Sequence, residues 1–387
     1  MWWTVGLEGG PRRVNHAAVT VGDRIYSFGG YCTGENYRTV RCMDVHVLDT
    51  VTYRWKVINN QNSDPKAIPF QRYGHTAVAY GPLVYIWGGR NDNKACNTLF
   101  CFDTTTHEWS LPQVTGKTPE ARDGHSACII NYSMYIFAGY LEFTESYTQD
   151  VHALDLHALT WSYVRTVEDA PIYRDFHTAT GIDGKMYVWG GREVASGWYQ
   201  SPDQEEYGSN LYCLDTVNNR WSVIPTTGET PTGRRSHSAF VYEGQIYIFG
   251  GYNSKEGQHF NDLHRFDPSK QNWELVHPKG DGPCPRRRQS CCIVGSRMFL
   301  FGGTSPHENF EDNIEDDELD EVTLTDRRLM DHNDLHVLDL SPSLKTLCLL
   351  RVLELNIDGS CLPFELQATL KVMVTPNNIT RPLTNTG

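Results

Sequence analysis

The stretch Arg234-Arg235-Ser236-His237-Ser238-Ala239-Phe240-Val241-Tyr242, a Glu243-Gly244 turn, then Ile246-Tyr247-Ile248-Phe249-Gly250-Gly251 decides the fold. Two apolar runs, β-branched and aromatic, flank a short turn and predict a tight β-hairpin. The closing glycine pair suits a backbone that approaches another chain segment closely or needs positive φ. A second hairpin follows, Asp262-Leu263-His264-Arg265-Phe266-Asp267 and Asn272-Trp273-Glu274-Leu275-Val276. The unit is therefore four strands.

The unit recurs. Glycine pairs stand at Gly29-Gly30, Gly88-Gly89, Gly190-Gly191, Gly250-Gly251 and Gly302-Gly303, with the variant Ala138-Gly139. A fourth-strand tryptophan recurs at Trp55, Trp109, Trp161, Trp221 and Trp273. Four strands, a double glycine and a tryptophan at a period of about 50 residues resemble the kelch repeat. The resemblance covers Trp3 to Leu340 and implies stacked blades forming one body. The last glycine pair is followed by a third strand, Asp334-Leu335-His336-Val337-Leu338-Asp339, but by no tryptophan strand. Trp2-Trp3-Thr4-Val5 matches the missing strand. The expected fold is all-β: a six-bladed kelch β-propeller over 1–340, closed by the N-terminal strand so that no sheet edge stays open at the seam. A short α-helical segment over 341–374 and a flexible tail over 375–387 follow.

Composition agrees with a folded chain. The 387 residues suffice for a large core, and the net charge of −13 argues against nucleic acid as a partner. Much of that charge lies in an insertion expected to be flexible over 305–333. Nine of its fourteen residues from Glu308 to Glu321 are acidic, a composition that favours disorder. It reads either as an arm that steers ligands or as a solvated loop. Met1-Trp2-Trp3-Thr4 lacks the basic start and apolar core of a signal peptide, and no run is long enough to span a membrane. Eleven cysteines, several in strand-like runs, fit free thiols in a reducing cytoplasm or nucleus. No Cys/His spacing suggests zinc, and no cofactor is expected.

Comparison across the copies separates scaffold from site. Arg13, Arg72, Arg122, Arg174, Arg234 and Arg286 recur at one place, and His16, His75, His125, His177 and His237 at another, with Gln289 in the sixth copy. Residues demanded by every blade are read as structural, the histidines tying neighbouring strands. The next positions vary: Val14, Tyr73, Asp123, Asp175, Arg235 and Arg287, then Asn15, Gly74, Gly124, Phe176, Ser236 and Arg288. Tyr31, Arg90, Tyr140, Arg192, Tyr252 and Thr304 follow the glycine pairs. All these lie on one rim, the usual place for binding on a rigid scaffold. The candidate ligand residues are Arg192, Arg235, Ser236, Arg287, Arg288, Tyr252, Tyr140, Asp123 and Asp175. The arginines suit a carboxylate, and Asp123 and Asp175 suit a cation some distance away. A peptide C-terminus with a basic residue upstream satisfies both. The alternative, that these charges pair with one another across the funnel, stays open.

Beyond Leu340, Ser343-Leu344-Lys345-Thr346-Leu347-Cys348-Leu349-Leu350-Arg351-Val352 is apolar at helical spacing, with Leu344, Cys348 and Val352 on one face. Either Ser341 or Ser343 suits the cap. Ser343-Leu344, Cys348 and Val352 resemble an elongin-binding box; Leu362-Pro363 and Leu366, ten residues on, resemble a cullin-2 box. In tandem after a propeller, they resemble the kelch-repeat substrate receptors of cullin-2 RING ubiquitin ligases. That resemblance implies a non-catalytic receptor that binds C-terminal degrons ending in glycine, often with upstream Arg or Lys. It implies elongin B/C and cullin-2 with its RING subunit as partners, and no membrane. It also implies that Arg192, after a double glycine, and Arg235, opening the next blade, hold the carboxylate. The alternative is a kelch interaction scaffold, cytoskeletal or chromatin-associated, with merely structural helices. An enzyme such as a copper oxidase finds no ligand set in this sequence. The chain ends in Gly387, read either as a tail that occupies a receptor pocket or as an ordinary terminus.

Overall fold

A computed structural model describes residues 1–36, 38–59, 63–168, 170–198, 205–307 and 329–380. Six antiparallel blades surround one axis. In the fifth, Ser238–Tyr242, Gln245–Asn253, Gln258–Asp267 and Asn272–Val276 pair in chain order. In the sixth, Ser290–Val294, Arg297–Phe301 and Leu335–Asp339 are completed by the N-terminal strand Trp2–Leu7, which pairs Trp2 with Asp339 and Leu7 with Leu335. The seam is closed as the sequence predicts.

One apolar cluster fills each space between adjacent blades. The recurrent tryptophan supplies its outer end. Trp109, Trp161, Trp221 and Trp273 meet Phe28, Trp87, Phe137 and Trp189 of the preceding blade, at centroid distances of 5.9, 5.7, 5.1 and 6.0 Å. Trp55 meets Phe301 at 4.9 Å, and Trp3 meets Phe249 at 6.1 Å. Trp3 thus does from the N-terminus what a fourth-strand tryptophan does elsewhere.

The glycine pair is required sterically. At Gly250 a Cβ would lie 2.9 Å from the Arg286 carbonyl oxygen, and at Gly251 2.9 Å from that of Arg235, with φ of +66° and +105°. The recurrent arginine is buried in five copies. Arg234 donates from Nη1 to the Gly250 carbonyl at 3.2 Å and pairs with Asp262; Arg122, Arg174 and Arg286 pair with Asp150, Glu193 and Asp334. These arginines hold the start of the first strand to the end of the second, so they are scaffold.

The helices Leu344–Glu354 and Phe364–Val374 pack on the cluster between the sixth and first blades through Leu349, Leu370 and Met373. Ser343 is the cap, its Oγ accepting from the Thr346 amide at 3.1 Å. Two expectations change here. The ends of the insertion expected to be flexible are regular, since Thr304–Pro306 pairs with Leu329–Asp331; the acidic run lies outside the described residues. The segment after the second helix is also tied down: Asn377 is buried, its side chain accepting from the Trp55 amide and donating to the Tyr53 carbonyl, and the Ile379 amide donates to the Gly9 carbonyl. Residues 381–387, with the proposed role of Gly387, lie outside the described residues.

If the N-terminal strand closes the ring, Trp3→Ala lowers stability by about 3–5 kcal/mol, the cost of emptying a large aromatic site. Urea unfolding measures it, and a loss below about 1 kcal/mol would mean that the seam does not depend on this strand.

Candidate functional site

Each rim residue is placed by the hairpin that carries it. The first strand's start faces the residue after the glycine pair, giving the cross-strand pairs Val14–Tyr31, Tyr73–Arg90, Asp123–Tyr140, Asp175–Arg192, Arg235–Tyr252 and Arg287–Thr304. Such pairs put side chains within reach of each other. The rim is therefore six pairs around the axis, not two independent rows.

On the acidic side, Arg192 and Asp175 are bonded to each other. Arg192 Nε and Nη2 donate to the two Asp175 oxygens at 3.0 and 2.6 Å, and Nη1 donates to Glu205 at 3.0 Å. This corrects the expectation that Arg192 stands ready for a ligand carboxylate while Asp175 waits for a cation: a buried fork and carboxylate facing across one hairpin neutralise each other. The pair forms within one hairpin, not across the funnel. Asp123 is different. It is buried, Tyr140 faces it across the hairpin, and its Oδ1 has no hydrogen-bond partner among the described residues. Burial first, then the Asp175 charge, pushes its carboxyl up to about 7. It lines a cavity of about 260 Å³ with Arg90, Tyr140, Glu145, Tyr147, Asp175, Phe176 and Arg192. Arg90 also pairs with Glu142 at 3.2 Å.

The basic side is the converse. Arg235 and Arg287 face Tyr252 and Thr304 instead of acids. Arg287 is 5% exposed and has no acidic partner among the described residues. Its guanidinium lies 4.5 Å from the Tyr252 ring centroid, and Arg235 lies 5.7 Å from it. Burial, then the charges of Arg288 and Arg235, push Arg287 down to about 9. Arg288 donates to the Tyr31 hydroxyl and lies over that ring. His259, opposite Tyr252 in the hairpin and 4.5 Å from its ring, completes the group; burial and the three arginines push it down to about 3, so it is neutral. The sequence reading missed His259 and Glu205. The first follows from the hairpin register; the second sits in an insertion whose sequence no other blade repeats.

Ser236 joins a closed ring of backbone hydrogen bonds about the axis. The amides of Asn15, Gly74, Gly124, Phe176, Ser236 and Arg288 donate to the carbonyls of Arg288, Asn15, Gly74, Gly124, Phe176 and Ser236, at 2.7–3.1 Å. All six residues have positive φ. The recurrent histidines form the layer beneath. His125, His177 and His237 bond through Nε2 to the hydroxyls of Thr76, Ser126 and Thr178 of the preceding blade, at 2.8, 2.7 and 2.8 Å. These three tie blades together as expected, whereas neither ring nitrogen of His16 or His75 has a hydrogen-bond partner among the described residues. Among the described residues no group of three or more His, Cys, Asp or Glu side chains could hold a metal. None of the eleven cysteines is in a disulfide.

At the other end, Leu344 is 77% exposed and Cys348 is exposed one turn on. Val352 does not share their exposure: it packs with Leu362 and Leu366 against the seam cluster. Pro363 precedes the second helix, whose first residue, Phe364, is 83% exposed and was not singled out from the sequence.

A family profile described as the KLHDC2/KLHL20/DRC7 Kelch-repeats domain matches residues 74–303, and one described as the Kelch motif matches residues 12–62. Kelch domain-containing protein 3 of Homo sapiens is 49% identical over 386 residues, 98% of each chain, and that of Rattus norvegicus is 50% identical over the same length. Host cell factor 2 of Homo sapiens is 29% identical over 265 residues, 64% of this chain and 33% of that protein.

Asp123 supplies a pH test. The folded chain keeps a proton that an unfolded Asp releases near 3.8, so this group's contribution to stability falls as pH rises through the interval up to about 7. Asp123→Asn removes that slope. Its stability relative to the unaltered chain rises from pH 5 to 7 and levels off by about pH 8. Parallel urea curves at all three pH values would contradict the assignment.

Proposed function

The chain belongs to the kelch-repeat family, among the relatives of kelch domain-containing protein 3, as a protein-interaction module; from that premise we propose that it is the substrate-recognition subunit of a cullin-2 RING ubiquitin ligase. On this reading it takes protein C-termini that end in glycine, and docks elongin B/C and cullin-2 through its C-terminal helices. It makes and breaks no bond itself; ubiquitin transfer takes place on other subunits, in the reducing cytoplasm and nucleus where free thiols persist.

The observation that carries this reading is Arg287, a buried guanidinium with no acidic partner among the described residues, between Arg235 and Arg288. A buried cation without a counter-charge is costly. A ligand carboxylate supplies the missing charge and fits the planar fork. Tyr252 and His259 wall the site, and a terminal glycine, having no side chain, lets the carboxylate reach it. The carboxylate contacts thus centre on Arg287 and Arg235, with Arg288 and Ser236 at the mouth. Asp123, the acid not taken by an arginine, and Tyr140 lie on the side where an upstream Arg or Lys would come. At the helices, exposed Leu344 and Cys348 offer an apolar face suited to a partner's groove.

Arg287→Ala and Arg235→Ala each weaken calorimetric binding of a glycine-ending peptide by about 1–3 kcal/mol, the loss of one charge-assisted contact. A peptide with an amidated C-terminus does not bind. Unchanged affinity in both variants rules out this pocket. Separately, Leu344→Ala combined with Cys348→Phe abolishes co-purification of elongin B/C while the propeller melts as before. Undiminished co-purification favours the scaffold alternative.

A further inference from the structure

Glu205 already presents a carboxylate to the arginine cluster. It is 4% exposed, in the insertion between the second and third strands of the fourth blade. Its Oε1 accepts from Arg192 at 3.0 Å and lies 3.9 Å from Arg235 Nη1. Its Oε2 accepts from the Tyr207 hydroxyl at 2.6 Å and from Ser254 Oγ, on the fifth blade, at 2.9 Å. Three hydrogen bonds from two blades fix its position. The propeller scaffold does not require it, since no other blade has this residue; it belongs to the mouth. Burial alone would raise its pKa, but Arg235, Tyr207 and Arg192 more than offset that and hold it below the usual range, so it is an anion at neutral pH.

We propose that Glu205 is a built-in carboxylate that competes with the ligand's carboxylate for Arg235 and so sets which anions the cluster accepts. The inference rests on the carboxylate-binding reading above. Two carboxylates near one guanidinium repel each other strongly in a site screened from water. An isolated anion then gains too little from Arg235 and Arg287 to stay. A peptide end brings backbone contacts as well and overcomes the repulsion. Glu205 therefore converts a general anion site into one selective for a carboxylate at the end of a chain.

The test uses the full chain and calorimetry with three probes: a glycine-ending peptide, the same peptide amidated, and N-acetylglycine as the bare carboxylate. Glu205→Gln keeps the acceptor oxygen for Arg192 and removes the charge. It is expected to bind the peptide acid about tenfold tighter, equivalent to ~1.4 kcal/mol, and to bind N-acetylglycine where the unaltered chain does not. The amidated peptide gains nothing. Should the Gln variant fail to fold, Glu205→Asp retracts the charge by one methylene and gives an intermediate gain. If the unaltered chain binds the peptide acid and the variants bind it equally or more weakly, Glu205 is no competitor and this inference alone falls. If no form binds the peptide acid, the carboxylate reading falls and takes this one with it.

Discussion

The ring of six backbone hydrogen bonds about the axis is the constraint on which the site depends. Each bond joins the same position in adjacent blades, so the ring closes only if all the blades share one rotation. Every member must adopt positive φ, a conformation that costs a non-glycine residue about 1–2 kcal/mol. Gly74 and Gly124 meet it without strain and Asn15 readily; Phe176, Ser236 and Arg288 do not. Strain of this kind persists where the surroundings over-determine the backbone, and it concentrates at functional sites. Here the three strained residues place side chains at the mouth, which glycine would leave bare.

The ring also fixes its neighbours. The residue before each ring member pairs across its hairpin with the residue after the glycine pair. The charge pattern of the mouth is decided within these pairs. An arginine opposite an aspartate, as in Arg192 and Asp175, is spent on the scaffold. Arg287, opposite Thr304, has no acidic partner among the described residues, and Arg235, opposite Tyr252, has the Glu205 carboxylate only at 3.9 Å. The basic patch of blades five and six arises because their partners across the hairpin carry no charge, and the interleaved histidines stay neutral because burial holds their pKa values far down.

The repeat, the blade number and the seam were legible in the sequence because each rests on a local pattern: a hairpin, a glycine pair, a tryptophan. Trp3 was recognisable since its strand reads like Trp221-Ser222-Val223. The pairing of Arg192 with Asp175 was legible in principle, because Asp175 opens the first strand of a hairpin and Arg192 follows Gly190-Gly191 at the end of its second. His259 follows from the same register, opposite Tyr252. Glu205 does not follow from any pattern. Its insertion shares no sequence pattern with those of the other blades, and its bond to Ser254 joins residues 49 apart through loop geometry alone. The order in Asn377 was equally hidden, since it comes from bonds to Trp55 and Tyr53, more than three hundred residues away.

The seam links the two ends of the molecule mechanically. The Asn15 amide donates to Arg288 across the junction of blades six and one. The same junction carries the cluster on which Leu349, Leu370 and Met373 of the helices pack. Val352, Leu362 and Leu366 are turned inward on that cluster, so the residues that resemble docking boxes divide into an outward pair, Leu344 and Cys348, and an inward group that fixes the helices to the propeller. A rigid joint of this kind needs no conformational signal. On the proposed reading it would hold a ligand at the mouth in one orientation relative to a partner on the helices, and proximity imposed in that way would favour a reaction between the two.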